Sequence, residues 1–284
     1  MPDPADNAAV TLAALREMDI DRYLAVILSP EPHRPALAAL YAFNAELARV
    51  RDVIHEPLPG EIRLQYWRDL LAGSAHGSTE ANPVAAELLK AVQTYRLPLE
   101  PLIAMSEARI FDLYDDPIES VGQFEGYAGE TASALIQLAS LVLDAEGAAA
   151  QTERAGHAGV AQAVAGALLL LPVHRRRGQV YLPAEILAAT GLDRESFLAG
   201  EDRGRISAAV EAFAGMGLDH LAKAGKGGLN EPRTLAPAYL PLASVRGVLR
   251  RAARNGGLAL DGHLRAAQWR RQLSMALLLW RGSL

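Results

Sequence analysis

Residues 34–52 read RPALAALYAFNAELARVRD, and this stretch decides how the rest of the chain is read. Pro35 stands where a helix can begin, because a proline in the first turn gives up no hydrogen bond that the helix needs. From there to Ile54 the apolar residues Leu37, Leu40, Tyr41, Leu47, Val50 and Ile54 recur mostly at three- and four-residue steps. That is the period of a helix with a face in a core. On such a helix Asn44, Ala48 and Asp52 share one side at four-residue steps. Pro57-Leu58-Pro59-Gly60 is expected to end the segment.

The same period extends outward in both directions. It predicts an interrupted helix over Ala8–Leu28 and further helices over Glu61–Ala72, Val84–Tyr95, Pro98–Tyr114, Val121–Leu143 and Ala155–Leu171. Towards the C-terminus it predicts Ala184–Thr190, Arg194–Ala199, Arg205–Ala224, Ala238–Arg254 and Gly262–Trp280. Gly73–Pro83, Arg175–Gly178 and Gly225–Pro232 are expected as loops, Val180–Pro183 as extended chain, and Asp115-Asp116-Pro117 as a helix end and turn. No repeat or low-complexity tract interrupts the series. The expected architecture is all-α, in one domain over residues 1–284.

Composition narrows the function. Half of the 284 residues are hydrophobic and 21% are charged, which suits a buried core and argues against disorder. A net charge of −5 gives no nucleic-acid signature. With no cysteine, disulfides, thiolate metal sites and a cysteine nucleophile are excluded. The segment Met1–Asn7 has no apolar signal core, and the longest uncharged stretch, Ala158–Val173, falls short of the ~20 residues of a spanning helix. His33, His55, His76, His157, His220 and His263 show no HxxxH or HExxH spacing. Ser133 lies in Ala132-Ser133-Ala134, which is no nucleophile elbow.

Three segments stand out as an ordered set: Tyr41 to Asp52; Tyr127-Ala128-Gly129-Glu130-Thr131-Ala132-Ser133; and Arg176-Arg177-Gly178-Gln179-Val180-Tyr181-Leu182-Pro183. With Arg34 and Leu64-Gln65-Tyr66-Trp67-Arg68, they make the chain resemble the squalene/phytoene synthase superfamily from about Tyr23 to Trp280. The resemblance implies an isoprenoid-synthase-like helical bundle around a central cavity. In active members two aspartate-rich motifs hold Mg²⁺ on the diphosphates of two prenyl substrates. Mg²⁺ suits oxygen ligands plus phosphate, and it neutralises the diphosphate as it leaves.

The chain departs from that pattern at the metal positions. The first motif should carry aspartates at 48 and 52, but position 48 is Ala48 and only Asp52 remains, beside Arg49 and Arg51. The acidic positions of the second motif fall on Leu170, Val173 and His174, and Pro172 stands where the metal-binding turn would extend. Asp112, Asp115, Asp116 and Glu119 do not match the metal motif. These departures, with Phe43 to Leu47 and Gln65-Tyr66-Trp67, resemble one branch of the superfamily: the mitochondrial complex I assembly factor 6 and its bacterial relatives. The resemblance implies a non-catalytic protein without a cofactor, with complex I subunits or assembly intermediates as partners. It also implies a bacterial, cytoplasmic setting, peripheral at the inner face of the inner membrane. The alternative is a prenyl-diphosphate-binding protein, or a Mg²⁺-dependent head-to-head prenyltransferase with a degenerate metal site.

Tyr41, Asn44, Asp52, Tyr127 and Gln162 are the candidate lining of the implied cavity. His174, Arg175, Arg176 and Arg177 are candidate phosphate contacts, since arginine forks match phosphate oxygens. Ordinary core packing for the aromatics and a solvated basic loop for the arginines stand beside those readings. After Ser244 the chain carries eight arginines against one acid, Asp261. Its last helix mixes arginines with an apolar run, which reads either as a helix packed on the domain or as a peripheral membrane contact.

Overall fold

The computed structural model describes residues 4–54, 56–74, 82–226 and 232–281. The order of helices is α1 (Pro4–Met18), α2 (Ile20–Ile27), α3 (Arg34–Ala48), α4 (Val50–Val53), α5 (Pro57–Leu71), α6 (Pro83–Tyr95), α7 (Leu99–Ala108), α8 (Val121–Ala128) and α9 (Ala134–Leu143). Then follow α10 (Ala145–Ala150), α11 (Thr152–Leu169), α12 (Leu171–Arg176), α13 (Ala184–Ala189), α14 (Arg194–Ala199), α15 (Arg203–Ala224), α16 (Val245–Arg254), α17 (Gly257–Leu260) and α18 (Gln268–Arg281). No strand occurs among the described residues, and the all-α expectation holds. Two compact units form, each from three separated stretches. One takes Met1–Tyr114, Ala134–Thr152 and Pro232–Pro241, and the other takes Asp115–Ser133, Glu153–Glu231 and Leu242–Leu284.

The first unit is organised by α3, buried without a break from Ala36 to Ala45. A helix apolar on all sides belongs inside a bundle. Its alanines at 36, 38, 39, 42 and 45 let neighbours come close, and α1, α2, α6 and α9 pack on it. Phe43 meets the edge of Trp67 from α5 at 5.0 Å between ring centroids. Between α1 and α2, Asp19 caps the second helix by accepting from the Arg22 backbone N–H at 3.0 Å.

The second unit is built on α15. Ile206, Ala209, Val210, Phe213, Ala214, Gly217, His220, Leu221 and Ala224 form its buried stripe, at the steps a one-sided helix requires. Phe213 meets Phe124 of α8 edge-on at 5.0 Å. Residues Gly129–Ser133 form a π turn. A Cβ on Gly159 of α11 would overlap the Ser133 backbone N and Cα, so only glycine permits this approach. The Ser133 hydroxyl donates to the Gly156 carbonyl across it at 2.8 Å.

Several sequence expectations are corrected. Pro57 and Pro59 begin α5 instead of ending a preceding helix: both lie in its first turn, where N–H groups have no intrahelical acceptor. Pro172 likewise starts α12 after a break at Leu170, so Arg175 and Arg176 are helical rather than in a loop, and Gly178 (φ 75°) ends the turn. Arg233–Ser244 is a 3₁₀ segment because Pro237 and Pro241 remove the N–H groups an α-helix would use. The last predicted helix, Gly262–Trp280, begins only at Gln268 as α18; Gly262, at φ 72°, lies between the short α17 and α18. Residues 75–81 and 227–231 of two expected loops lie outside the described residues.

Gly159 and Gly215 make opposite predictions. Gly159→Ala should destabilise the protein by about 1–3 kcal/mol through overpacking. Gly215, with nothing within 4 Å of an added Cβ, should gain up to about 1 kcal/mol as alanine. Chemical denaturation of both variants checks the pair.

Candidate functional site

The candidate residues of the first unit lie on α3 and α4. Tyr41 and Asn44 are buried, whereas Ala48 and Asp52 are exposed, and a turn at Arg49 divides the two helices. The row therefore runs from the interior to the surface. The Arg22 guanidinium lies over the Tyr41 ring, 5.9 Å from its centroid, and is itself held by Asp19 at 2.6 Å. The Tyr41 hydroxyl has no hydrogen-bond partner among the described residues. Burial raises its pKa well beyond the ordinary phenol value. Further along α3, burial also raises the Glu46 carboxyl, opposed by the Arg63 guanidinium at 4.0 Å.

The candidate residues of the second unit converge where α12 turns into the 179–183 segment. His174 packs on Tyr181 at 4.5 Å between ring centroids, and Tyr127 of α8 lies 6.2 Å from the same ring. Tyr181 thus joins two of the predicted residues, although the sequence reading did not give it a place in the site. Gln162 is half-buried on α11, one turn beyond Gly159.

The three arginines separate by role. Arg175 turns inward, donating to the Leu198 carbonyl at the end of α14 at 2.9 Å, with its guanidinium 5.8 Å from the Phe197 ring centroid. A Cβ at Gly200 (φ 76°) would collide with that guanidinium. Arg175 is thus a brace on a helix C-terminus. Arg176 and Arg177 are exposed.

These residues do not fit a Mg²⁺ site. Ala48, Leu170 and Val173 offer no donor, and His174 offers nitrogen where Mg²⁺ prefers oxygen. Among the described residues no group of three or more acids and histidines could hold a metal ion. Asp112 instead pairs with Arg109 at 3.0 Å.

A model of the squalene/phytoene synthase family matches residues 15–276. The chain belongs to the squalene/phytoene synthase family. One family relative is the rat NADH dehydrogenase (ubiquinone) complex I, assembly factor 6, which is 31% identical over 253 residues, covering 89% of this chain and 76% of that protein. The presqualene diphosphate synthase of Rhodopseudomonas palustris is 27% identical over 200 residues, covering 67% of this chain and 66% of that protein. Among solved structures, a dehydrosqualene synthase in complex with ligand superposes with a TM-score of 0.78 at 16% identity, covering 98% of this chain and 99% of that one. That likeness establishes the isoprenoid-synthase-like fold.

One polar cluster had no sequence signal. His220 of α15 reaches Glu125 Oε1 of α8 through Nε2 at 2.9 Å, and its Nδ1 lies 3.0 Å from Nδ1 of His157 on α11. His157 Nε2 in turn lies 3.8 Å from Glu153. Separations of 63 and 95 positions hide the arrangement from any local motif. Only one proton fits between the two Nδ1 atoms, so placing a proton on both breaks the contact.

Burial lowers the His157 pKa from its ordinary value, helped by His220 and Lys223 and opposed by Glu153 and Glu125. The unfolded chain therefore takes up this proton first as pH falls. The stability tied to a neutral His157 is present above the unfolded value, about 6.5, and is lost as pH drops below it. Thermal unfolding across this range should show that loss, and His157→Gln, which cannot titrate, should flatten the dependence.

Proposed function

We propose that this chain is a non-catalytic member of the squalene/phytoene synthase family that acts in the assembly of respiratory complex I, the NADH:ubiquinone oxidoreductase. Fold alone does not assign function, because one scaffold hosts many activities. The observation that carries the reading is the donor set. Asp52 keeps a carboxylate at the first metal motif, but Ala48, Leu170, Val173 and His174 stand at the other acidic positions and supply no further carboxylate for a cluster of Mg²⁺ ions. A diphosphate leaving group then lacks the charge neutralisation that its departure needs. The likeness to the rat assembly factor over most of the chain supports the role in complex I. Complex I subunits or assembly intermediates are the proposed partners, and a peripheral position at the inner face of the inner membrane is the proposed setting.

Deleting the chain in its source organism tests the reading. Assembled complex I, resolved on native gels, and NADH:ubiquinone oxidoreductase activity should both fall while succinate-driven respiration is unchanged. Re-expression should restore both, and an Asp52→Ala form should restore them equally well. Unchanged complex I in the deletion would contradict the assembly role. Failure of Asp52→Ala alone would point to chemistry at that carboxylate.

A further inference from the structure

Helix α18 carries apolar residues on its exposed side as well as its buried one. Arg271, Met275 and Leu278 are its buried side. Across from them, Trp269 is 60% exposed, Leu273 52%, Leu277 39% and Trp280 76%. At about 100° per residue these four, with exposed Ala276 between them, fall within an arc of roughly 100°. The two tryptophans stand at the two ends of the stripe, about 16 Å apart along the axis at 1.5 Å per residue. Exposed Arg270 and Arg281 flank one edge of the stripe, and Gln268 and Gln272 the other. The Arg270 guanidinium sits 5.1 Å from the Trp269 ring centroid.

The C-terminal stretch that carries this helix is strongly basic. Beyond Ser244 the acid Asp261 stands alone among eight arginines, and Arg203 pairs with it at 2.9 Å. On α16, exposed Arg246, Arg250 and Arg254 follow one another at four-residue steps. A protein partner or a second copy of this chain would need a large acidic face to meet this segment. An anionic bilayer supplies negative charge everywhere along its surface. Tryptophan at both ends of the stripe suits the headgroup level, where a ring that is apolar in body and polar at one edge is best accommodated. No helix among the described residues is long and apolar enough to cross a membrane, so α18 would lie in the surface rather than span it.

We infer that the exposed stripe Trp269, Leu273, Leu277 and Trp280 of α18 is a binding surface for an anionic lipid bilayer, with Arg270 and Arg281 engaging the phosphate groups. Its apolar side chains enter the headgroup–acyl boundary, and the opposite side of the helix stays packed on the second unit. The surface deepens the proposed peripheral setting but is tested apart from the assembly role: lipid binding is measured on the purified protein and needs no complex I.

Flotation of the full chain with phosphatidylcholine vesicles, with and without about 30 mol% phosphatidylglycerol, tests the inference. The expected result is capture by the anionic vesicles alone, weakened by salt. A blue shift of tryptophan emission should accompany it; Trp67 is buried, so the shift reports Trp269 and Trp280. The double variant Leu273→Glu/Leu277→Glu should weaken binding on the order of tenfold or more. Both positions are exposed, so its unfolding temperature should match the parent within a few degrees. Arg270→Gln/Arg281→Gln should reduce affinity and the salt dependence together. No capture of the parent chain, or equal capture of the double glutamate variant, would overturn the inference. A concentration-dependent dimer that this variant abolishes, without vesicle binding, would overturn it in favour of an interface between copies.

Discussion

Burial of α3 on every side is the constraint on which the first unit depends. A helix that exposes no face from Ala36 to Ala45 must be walled by other helices, and its alanines set how near those walls stand. Side chains placed on it inherit the interior: Tyr41 and Asn44 are polar groups with no access to bulk water. Among the described residues the Tyr41 hydroxyl has no hydrogen-bond partner. The helix then reaches the surface at Ala48, and past the turn at Arg49 Asp52 is exposed. The single carboxylate retained from the metal motif thus stands at the mouth of a buried row, not within it.

The helical class and most helices were legible because the apolar period of 3.6 is a property of the chain itself. Residues Arg194–Ala199 were read with both ends correct, and the cap at Asp193 explains why: its carboxylate accepts from the Ser196 N–H at 2.8 Å. The errors cluster at proline. Pro57, Pro59 and Pro172 were read as terminators, yet each sits in a first turn. A proline forbids the continuation of one helix and permits the start of the next, and the sequence alone does not say which side of it is helical. The π turn at Gly129–Ser133 was not legible either: it packs against Gly159, a neighbour 26 or more positions away that no local pattern reveals.

The site divides in the same way. Absence of carboxylates at 48, 170, 173 and 174 is a statement about identity and needs no coordinates. What Arg175 does is a statement about neighbours: the basic triplet reads as candidate phosphate contacts or as a solvated loop, and the structure adds that its first member donates to the Leu198 carbonyl of α14, where Gly200 keeps the space for it. The pairing of His157 with His220 is of the second kind too, since it joins helices far apart in the chain. Loss of the metal-motif carboxylates was therefore readable from the chain, whereas the contacts of its remaining polar groups were not.

The claim on which the account rests is that this family member has lost the ability to ionise a prenyl diphosphate. It is tested most directly by measuring diphosphate release from farnesyl and geranylgeranyl diphosphate with and without Mg²⁺, beside a known synthase. The account predicts no release above the protein-free rate under conditions where the control turns over. Metal-dependent release by this chain, abolished by Asp52→Ala, would contradict it and make the protein an enzyme whose metal site the carboxylate pattern does not reveal.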